Sequence, residues 1–313
     1  MQSLFSLMIT MSFLTSAAYA VALSPVRPGI VVVTGGKSGI GRALAEKIAS
    51  FPFIDEVLAV SRSISDDDVA SSPKINALAA DVGTQEGRDM IITAVDRLCN
   101  DNEKQLRFLV HSAGVIDPIK PVIEVKPEEL RRAMNINCEA PLFLTTALYP
   151  YMCDDTTTGR VLHVSSGAAH GAPPVGWSVY GITKAAFFQS FRVLEREFRE
   201  SLGGKVVIGS FQPGVVDTTM QGTIRDSSDK DMPVVQAFKD MKEKAEAGDV
   251  SKARPPLKGV LDTPQNVAHF AEFLLLGTTD EEFANKDDLS EWDIRNADFF
   301  PRWIPEDNLP KEE

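Results

Sequence analysis

Cysteine is scarce in this chain of 313 residues, and the positions of its three cysteines exclude two classes of protein. Cys99, Cys138 and Cys153 are odd in number, and no two of them have the Cys-x-x-Cys spacing. The sequence therefore argues against a disulfide framework and against a zinc site. We expect three free thiols and no bound metal.

An excess of positive charge is also lacking. The 32 basic and 44 acidic side chains give a formal net charge of −12. Such a surface repels the phosphate backbone of nucleic acids, so we expect no nucleic-acid partner. Any phosphate group that the protein binds must be held by a local group of basic side chains and backbone N–H groups.

Charged side chains are absent from the first 26 residues. An apolar run from Leu4 to Leu14 leads into Ala18-Tyr19-Ala20, which is typical of a signal-peptide cleavage site. The run is short and interrupted by Ser and Thr, so no stable membrane span is expected. Residues 1–28 are predicted to be a signal-like or disordered leader. The first alternative implies the secretory pathway or an organelle, and the second implies the cytoplasm.

From Gly29 onward, short apolar runs alternate with longer amphipathic segments. The run Ile30-Val31-Val32-Val33 predicts a strand that is buried on both faces. Further strands are predicted at 56–61, 75–79, 108–111, 161–165 and 206–211, and helices at 40–50, 85–100, 127–151 and 179–202. This alternation predicts βαβ units and a parallel sheet with helices on both faces.

Two segments lie outside this alternation. Residues 218–258 are polar, charged and interrupted by prolines, and we predict that they form a substrate lid with a helix at 234–247. Thr263 is the predicted N-cap of a final helix that ends at residue 276. The predicted catalytic domain extends over residues 29–300, and residues 301–313 are a C-terminal tail.

A glycine-rich segment follows the first strand directly and opens the first helix. Gly35 allows a tight turn, while Gly39 and Gly41 allow a pyrophosphate and the helix to approach closely. The N–H groups and the dipole at the helix N-terminus favour an anion there. The predicted dinucleotide contacts in this segment are Gly35, Lys37, Ser38, Gly39, Ile40 and Gly41.

The end of the second strand indicates which dinucleotide is bound. A site that selects NAD places a carboxylate there, which accepts a hydrogen bond from the ribose 2′-OH. This chain has Ser61-Arg62-Ser63 instead. Arg62 can bind a 2′-phosphate through charge-assisted hydrogen bonds, and Lys37 could add a second positive charge. The sequence therefore favours NADP(H) over NAD(H), with Ser61 and Arg62 as contacts.

Three residues predict carbonyl chemistry. Ser166 follows a predicted strand, and Tyr180 and Lys184 lie at i and i+4 on one helix face. A phenol, with a pKa of about 10, is a weak acid at neutral pH. A lysine ammonium one turn away favours phenolate, which would make Tyr180 a usable proton donor. Ser166 could donate to the same carbonyl oxygen and orient the substrate.

Taken together, these motifs resemble the short-chain dehydrogenase/reductase family over residues 29–277. The resemblance implies that Asn137 supports a water relay from Lys184, with Asn135 as the alternative. The family's Asn-Asn-Ala-Gly is replaced here by a sequence that begins with His111, for which a structural role is predicted. The cofactor contacts that the resemblance implies are Asp81, Val82, Ala113, Gly114, Tyr180, Lys184, Pro213, Gly214, Val216 and Thr218.

Within the family, residues 217–221 and 291–295 resemble the benzil reductase and sepiapterin reductase-like branch. Members of that branch reduce diketones, aromatic ketones or pterin side-chain carbonyls with NADPH. Trp177 and His170 are candidates to line the substrate pocket.

The predicted fold is α/β, a single doubly wound Rossmann-type domain. Its parallel seven-stranded sheet has the order 3-2-1-4-5-6-7, with helices on both faces. The predicted function is NADPH-dependent reduction of a ketone or diketone to an alcohol. The alternatives are an NAD-linked alcohol dehydrogenase and a non-catalytic dinucleotide-sensing protein. The expected partner is a small-molecule carbonyl substrate, and self-association as a homodimer or homotetramer is a hypothesis.

Overall fold

Seven strands form one sheet in the computed structural model, which describes residues 29–101, 104–154, 157–245, 251–285 and 288–309. The predicted leader, residues 1–28, lies outside the described residues. The strands are β1 (Gly29–Thr34), β2 (Ile54–Ser61), β3 (Ile75–Ala79), β4 (Gln105–His111), β5 (Gly159–Val164), β6 (Val206–Gln212) and β7 (Trp292–Asp293). Every pairing is parallel, and the order is β3-β2-β1-β4-β5-β6-β7, so the predicted fold is confirmed.

Helices cover both faces of this sheet. They are α1 (Gly39–Ala49), α2 (Asp66–Val69), α3 (Gln85–Asn100), α4 (Pro127–Met134), α5 (Ala140–Met152), α6 (Ser178–Ser201), α7 (Thr219–Arg225), α8 (Val235–Glu243), α9 (Pro264–Leu276), α10 (Asp280–Phe283) and α11 (Phe300–Trp303). Val31 and Val33 pack with α1 and α9, whereas Ile30 and Val32 pack with α3, α5 and α6. Burial on both faces explains why β1 is apolar at every position from 30 to 33.

The predicted helix over 127–151 is not uniform. A π-helical turn, Asn135–Glu139, separates α4 from α5. Such a turn inserts a residue into the regular hydrogen-bond ladder, and it often occurs at functional sites. Here it contains Asn137, which is 1% exposed.

The predicted lid segment contains α7 and α8. Met232, Val235 and Phe238 from this segment form a small apolar cluster with Ile116 and Tyr180. The segment therefore packs over the carboxyl ends of the strands. Whether it opens and closes stays a prediction.

The C-terminal part of the chain joins the main core. β7 extends the sheet by pairing with β6. The Trp303 ring lies 5.2 Å from that of Phe270 on α9, where Thr263 caps the helix as predicted. The domain end predicted at residue 300 stays a prediction. Of the helices in the described ranges, none has the length and apolar character needed to cross a membrane.

The buried carboxylate of Glu195 on α6 makes stability depend on pH. Glu195 is 1% exposed and accepts a hydrogen bond from Ile208 N at 2.8 Å. Burial raises its pKa from 4.5 to about 7, against the opposing effects of that bond and of Arg199. Because the folded state then holds the proton more tightly than the unfolded state, stability falls as pH rises from about 4.5 to 7.

Glu195→Gln is expected to remove this loss. A pKa shift is worth about 1.4 kcal/mol per unit. The free energy of unfolding of the variant, taken relative to that of wild type, should therefore be roughly 3 kcal/mol higher at pH 8 than at pH 4. Urea unfolding across this pH range measures the free energy of unfolding. Glu197→Gln, at an exposed position of the same helix, is the control. Parallel pH profiles for wild type and Glu195→Gln would contradict the prediction.

Candidate active site

A cleft of about 760 Å³ lies at the carboxyl ends of the strands. It is bordered by the glycine-rich segment on one side and by α7 and α8 on the other. Of the predicted site residues, those that line it are Gly35, Ser38, Gly39, Ile40, Gly41, Ser61, Arg62, Asp81, Val82, Ala113, Gly114, Ser166, Tyr180, Lys184, Pro213, Gly214, Val216 and Thr218. The structure therefore brings nearly the whole predicted set together around one cavity.

The glycine-rich segment forms a cradle that side chains would fill. Gly35 and Gly39 have φ values of 75° and 57°, which other residues rarely adopt. A Cβ added to Gly41 would lie 2.4 Å from Gly35 O, so the loop and α1 touch here. Ser38 makes no side-chain cap, which leaves the first N–H groups of α1 available to an anion. This geometry fits a dinucleotide pyrophosphate.

Thr34 is a supporting residue that the sequence motif did not single out. Its buried hydroxyl accepts hydrogen bonds from Ser112 N and Ala113 N, both at 3.2 Å. These bonds hold the loop after β4 against the glycine cradle, where a Cβ on Gly35 would lie 2.8 Å from Ala113 N. The cradle and the loop after β4 thus form one continuous wall.

The adenine end of the cleft contains one cation that faces solvent. Arg62 is exposed, and within the described ranges no ion pair or hydrogen bond occupies its guanidinium. Asp81 also lines the cleft, and its carboxylate accepts from Gly83 N at 2.9 Å. Arg62 is therefore free to meet an anionic group on a bound nucleotide.

Lys37 does not line the cleft, which corrects its predicted role as a direct phosphate contact. Its ammonium donates to Ser63 O at 2.7 Å and pairs with the Asp68 carboxylate at 3.1 Å. Asp68 also caps α2 through Ser65. The charge of Lys37 is therefore used within the protein, and it clamps the loop after Arg62 onto the glycine-rich segment.

Two substitutions distinguish a clamp from a phosphate contact. If Lys37 is a clamp, Lys37→Met and Asp68→Asn should each weaken NADPH binding by about two- to fivefold, as expected for an exposed ion pair. The double variant should bind no more weakly than either single variant. If Lys37 binds phosphate instead, Asp68→Asn should tighten binding. Fluorescence titration gives the Kd, and Lys47→Met, which breaks the remote pair with Glu272, is the control.

Ser166, Tyr180 and Lys184 converge at the centre of the cleft. Ser166 follows β5 and caps a short 3₁₀ turn, Gly167–Ala169, by accepting from Ala168 N at 3.2 Å. Ser166 lies close enough to Tyr180 to lower the pKa of its phenol. Lys184, one turn along α6, lies 5.9 Å from the centre of the Tyr180 ring. The i, i+4 spacing therefore places both side chains on the cleft-facing side of α6.

Burial controls the acid–base properties of this group. It raises the pKa of Tyr180, and the nearby Ser166 hydroxyl opposes that rise. It also lowers the pKa of Lys184 from 10.5 to about 8, while Glu291 acts in the opposite direction. The expected lowering of the Tyr180 pKa by Lys184 is therefore wrong for this structure. Burial disfavours the charged phenolate, and the Lys184 ammonium donates to Val164 O at 3.0 Å.

Asn137 supports the site from behind. Its side chain accepts from Val115 N and donates to Val115 O, each at 2.8 Å, and donates to Thr183 Oγ1 at 2.9 Å. A Cβ on Gly114 would lie 3.4 Å from Asn137 Oδ1 and 3.9 Å from Lys184 Nζ. Asn137 therefore fixes the loop after β4 beside Lys184, and its predicted role in a water relay stays a prediction.

The alternative asparagine lies elsewhere. The Asn135 amide faces Arg131 O at 3.0 Å and the Glu139 carboxylate. These groups belong to its own helix, so Asn135 does not contribute to the cleft.

The two buried histidines on the neighbouring strands β4 and β5 have structural roles. His111 contacts Thr145 Oγ1 at 2.8 Å, and burial lowers its pKa to about 3. His163, stacked on Phe187, is likewise buried, and its pKa lies well below the ordinary value. Both rings are therefore neutral near pH 7, as the structural role predicted for His111 implies.

The substrate end of the cleft is aromatic. The Trp177 ring packs edge-on against Tyr180 with the centroids 5.7 Å apart, and it also contacts Phe238 of the lid segment. His170, the other candidate pocket residue, does not line the cleft and contacts Glu291 instead. The structure thus supports Trp177 and rejects His170 as a pocket wall.

Sequence reasoning missed the contribution of the C-terminal strand. Arg295 lines the cleft, pairs with Asp293 at 2.6 Å, and donates to Gln212 Oε1 at 3.3 Å. Residues 291–295 resemble the benzil reductase and sepiapterin reductase-like branch, but no motif in the sequence indicates which strand they join. Pairing with β6 is what places Arg295 beside the turn after Ser166.

Comparison with known proteins agrees with this geometry. Residues 29–229 match the short chain dehydrogenase family, and the chain belongs to that family. It is 30% identical to a benzil reductase ((S)-benzoin forming) of Bacillus subtilis (strain 168) over 215 residues, which are 68% of this chain and 85% of the relative. It is 29% identical to the sepiapterin reductase of Meriones unguiculatus over 254 residues, which are 77% of this chain and 94% of the relative.

A solved structure gives the same result for the fold. The KRED1-Pglu enzyme is 27% identical, with a TM-score of 0.66 over 82% of this chain and 98% of the other. The predicted resemblance to the family and to its benzil reductase and sepiapterin reductase relatives is confirmed. The protein is thus an oxidoreductase of a family that uses a nicotinamide dinucleotide.

Proposed function

We propose that this protein is an NADPH-dependent carbonyl reductase that converts a ketone or diketone to an alcohol. The observation that carries the proposal is the convergence of Ser166, Tyr180 and Lys184 on one cleft, beside a glycine cradle. That arrangement supplies a proton donor and an orienting hydroxyl at the place where a carbonyl oxygen would lie.

Each residue has a distinct part in the reaction. When bound, the nicotinamide supplies a hydride to the carbonyl carbon. Tyr180 donates its phenol proton to the carbonyl oxygen. The Ser166 hydroxyl, which accepts from Ala168 N, keeps its own proton and can donate it to the same oxygen when the substrate is bound. Lys184, with its lowered pKa, is the proton source from which Tyr180 is restored, and Asn137 holds the adjoining loop.

The preference for NADPH rests on Arg62. The end of β2 carries no carboxylate, and the exposed guanidinium of Arg62 lies on the cleft wall. A guanidinium binds phosphate oxygens through two parallel hydrogen bonds. The clamp formed by Lys37 and Asp68 holds the loop that carries Arg62.

The substrate class follows from the aromatic end of the cleft. Trp177, Phe238 and Ile224 offer an apolar surface to a flat substituent. The benzil and sepiapterin reductases among the relatives bear names of substrates with aromatic or fused ring systems. We therefore favour aromatic ketones and vicinal diketones, enclosed by the lid segment over residues 218–258.

A panel of aromatic ketones and vicinal diketones, assayed at 340 nm with NADPH and with NADH, tests the proposal. Turnover that is faster with NADPH is the expected result. Faster turnover with NADH, together with alcohol oxidation by NAD, would identify the NAD-linked alcohol dehydrogenase instead. Tight NADPH binding without turnover of any panel member would indicate a dinucleotide-sensing protein.

A further inference from the structure

A buried carboxylate lies behind the catalytic group and has no part in the proposed mechanism. The side chain of Glu291, just before β7, is 0% exposed. Its two oxygens have separate partners. One accepts from Ser210 Oγ on β6 at 2.5 Å, and the other contacts His170 Nε2 at 2.5 Å. Glu291 therefore ties the sheet to the loop after β5.

That loop is the one that carries Ser166. His170 closes the 3₁₀ turn that Ser166 opens, because His170 N donates to Gly167 O at 3.2 Å. The His170 ring also packs on Phe188 of α6, with the centroids 4.4 Å apart. The turn of five residues therefore begins at Ser166, which carries the hydroxyl, and ends at His170, which the contact with Glu291 holds in place.

The charge of Glu291 also favours the protonated form of Lys184. Of the described residues, Tyr180 on α6, His163 on β5 and Glu291 beside β6 interact with Lys184. His111 on β4 contacts the His163 ring. Burial keeps both histidines neutral, and it raises the pKa of Tyr180, so that residue is also neutral near pH 7. In the described part of the chain, Glu291 is the anion whose charge favours the Lys184 ammonium.

We propose that Glu291 is a positioning residue that anchors the Ser166 turn through His170 and supplies a negative charge to the surroundings of Lys184. The effect of Glu291 on catalysis rests on the proposed function. The anchoring of the turn does not depend on it. Because Glu291 directly precedes β7, the docking of β7 against β6 brings Glu291 into the active site.

Hydrogen exchange tests the anchoring without any need for turnover. His170→Phe keeps a ring against Phe188 but removes the hydrogen bond to Glu291. The amides of residues 168–170 should then exchange about tenfold faster, as expected when a charge-assisted hydrogen bond is lost. His269→Gln breaks a half-buried pair with Glu272 on α9, where Nδ1 and Oε2 lie 3.8 Å apart, and it should leave these amides unchanged. Unchanged exchange in His170→Phe would refute the anchor.

The pH profile tests the charge. Glu291→Gln keeps an oxygen that can accept from Ser210, but it removes the negative charge that favours protonated Lys184. The alkaline limb of the kcat profile should move to lower pH by about one unit, and kcat at pH 8 should fall about fivefold. His170→Phe retains Glu291, so its alkaline limb should stay in place. Glu272→Gln controls for loss of a carboxylate elsewhere, and thermal unfolding checks that each variant is folded.

The outcomes separate the two proposals. If wild type reduces ketones and Glu291→Gln has the wild-type pH profile, the role of Glu291 toward Lys184 is wrong and the proposed function stands. If wild type reduces no ketone, the proposed function fails, and the hydrogen-exchange result still decides whether Glu291 and His170 anchor the turn.

Discussion

Tyr180→Phe is expected to lower kcat for ketone reduction by about 10²–10⁴-fold, the range that a positioned general acid contributes. The substitution removes one hydroxyl from a side chain that is 6% exposed and packed edge-on against Trp177. The ring and its contacts are retained, so the cleft should keep its shape. The Kd for NADPH, measured by fluorescence titration, should change by no more than about tenfold, because one neutral hydrogen bond contributes only about 0.5–1.5 kcal/mol.

Tyr149→Phe is the matched control. The Tyr149 hydroxyl donates to Leu202 O at 3.1 Å, at the far end of α6, and it does not line the cleft. The control should therefore retain wild-type kcat. If Tyr180→Phe keeps more than about a tenth of the wild-type kcat, Tyr180 is not the proton donor.

Tyr180 and Lys184 also determine how kcat is expected to depend on pH. Lys184 has its pKa lowered to about 8, so it loses its proton as pH rises through that value. Restoring the Tyr180 proton needs protonated Lys184, so kcat should be level near pH 7 and should fall above about pH 8. A profile that stays level to pH 10 would show that Lys184 is not part of the proton supply.

Much of this site was predictable because each motif is local. The run over residues 30–33 is apolar and β-branched at every position, which is typical of a strand buried on both faces. The spacing of Tyr180 and Lys184 requires only a helix to bring the two side chains to one face. The carboxyl ends of parallel strands lie at one edge of a sheet, so residues after β1, β4 and β5 had to meet there.

The remaining features depend on contacts between distant segments. The sequence gives Lys37 a position in the cradle, but not the Asp68 carboxylate that turns its ammonium away from the cleft. It gives the spacing of Lys184 from Tyr180, but not the burial that dominates both pKa values. Glu291 is separated by 81 residues from Ser210, so no local pattern could have placed it in the site.

Arg62→Asp should reverse the preference between cofactors. Removing the guanidinium loses a charge-assisted contact with the 2′-phosphate, which is worth about 1.5–3 kcal/mol, or roughly 10- to 150-fold in Kd. The new carboxylate also repels that phosphate, whereas it can accept a hydrogen bond from the 2′-OH of NADH. The ratio of kcat/KM values for NADPH and NADH should therefore fall by about 100-fold or more.

Two further variants divide this effect into its parts. Arg62→Ala removes the attraction without adding repulsion, so it should weaken NADPH binding and leave the Kd for NADH nearly unchanged. Arg196→Asp reverses an exposed charge on α6 away from the cleft, and it should change neither Kd. Because Lys37 is committed to Asp68, no second cation from the glycine-rich segment should compensate for the loss of Arg62. An Arg62→Asp variant that still prefers NADPH would mean that other groups hold the 2′-phosphate. Lys37 would then be the first candidate for such a group, and its role as a clamp would be wrong.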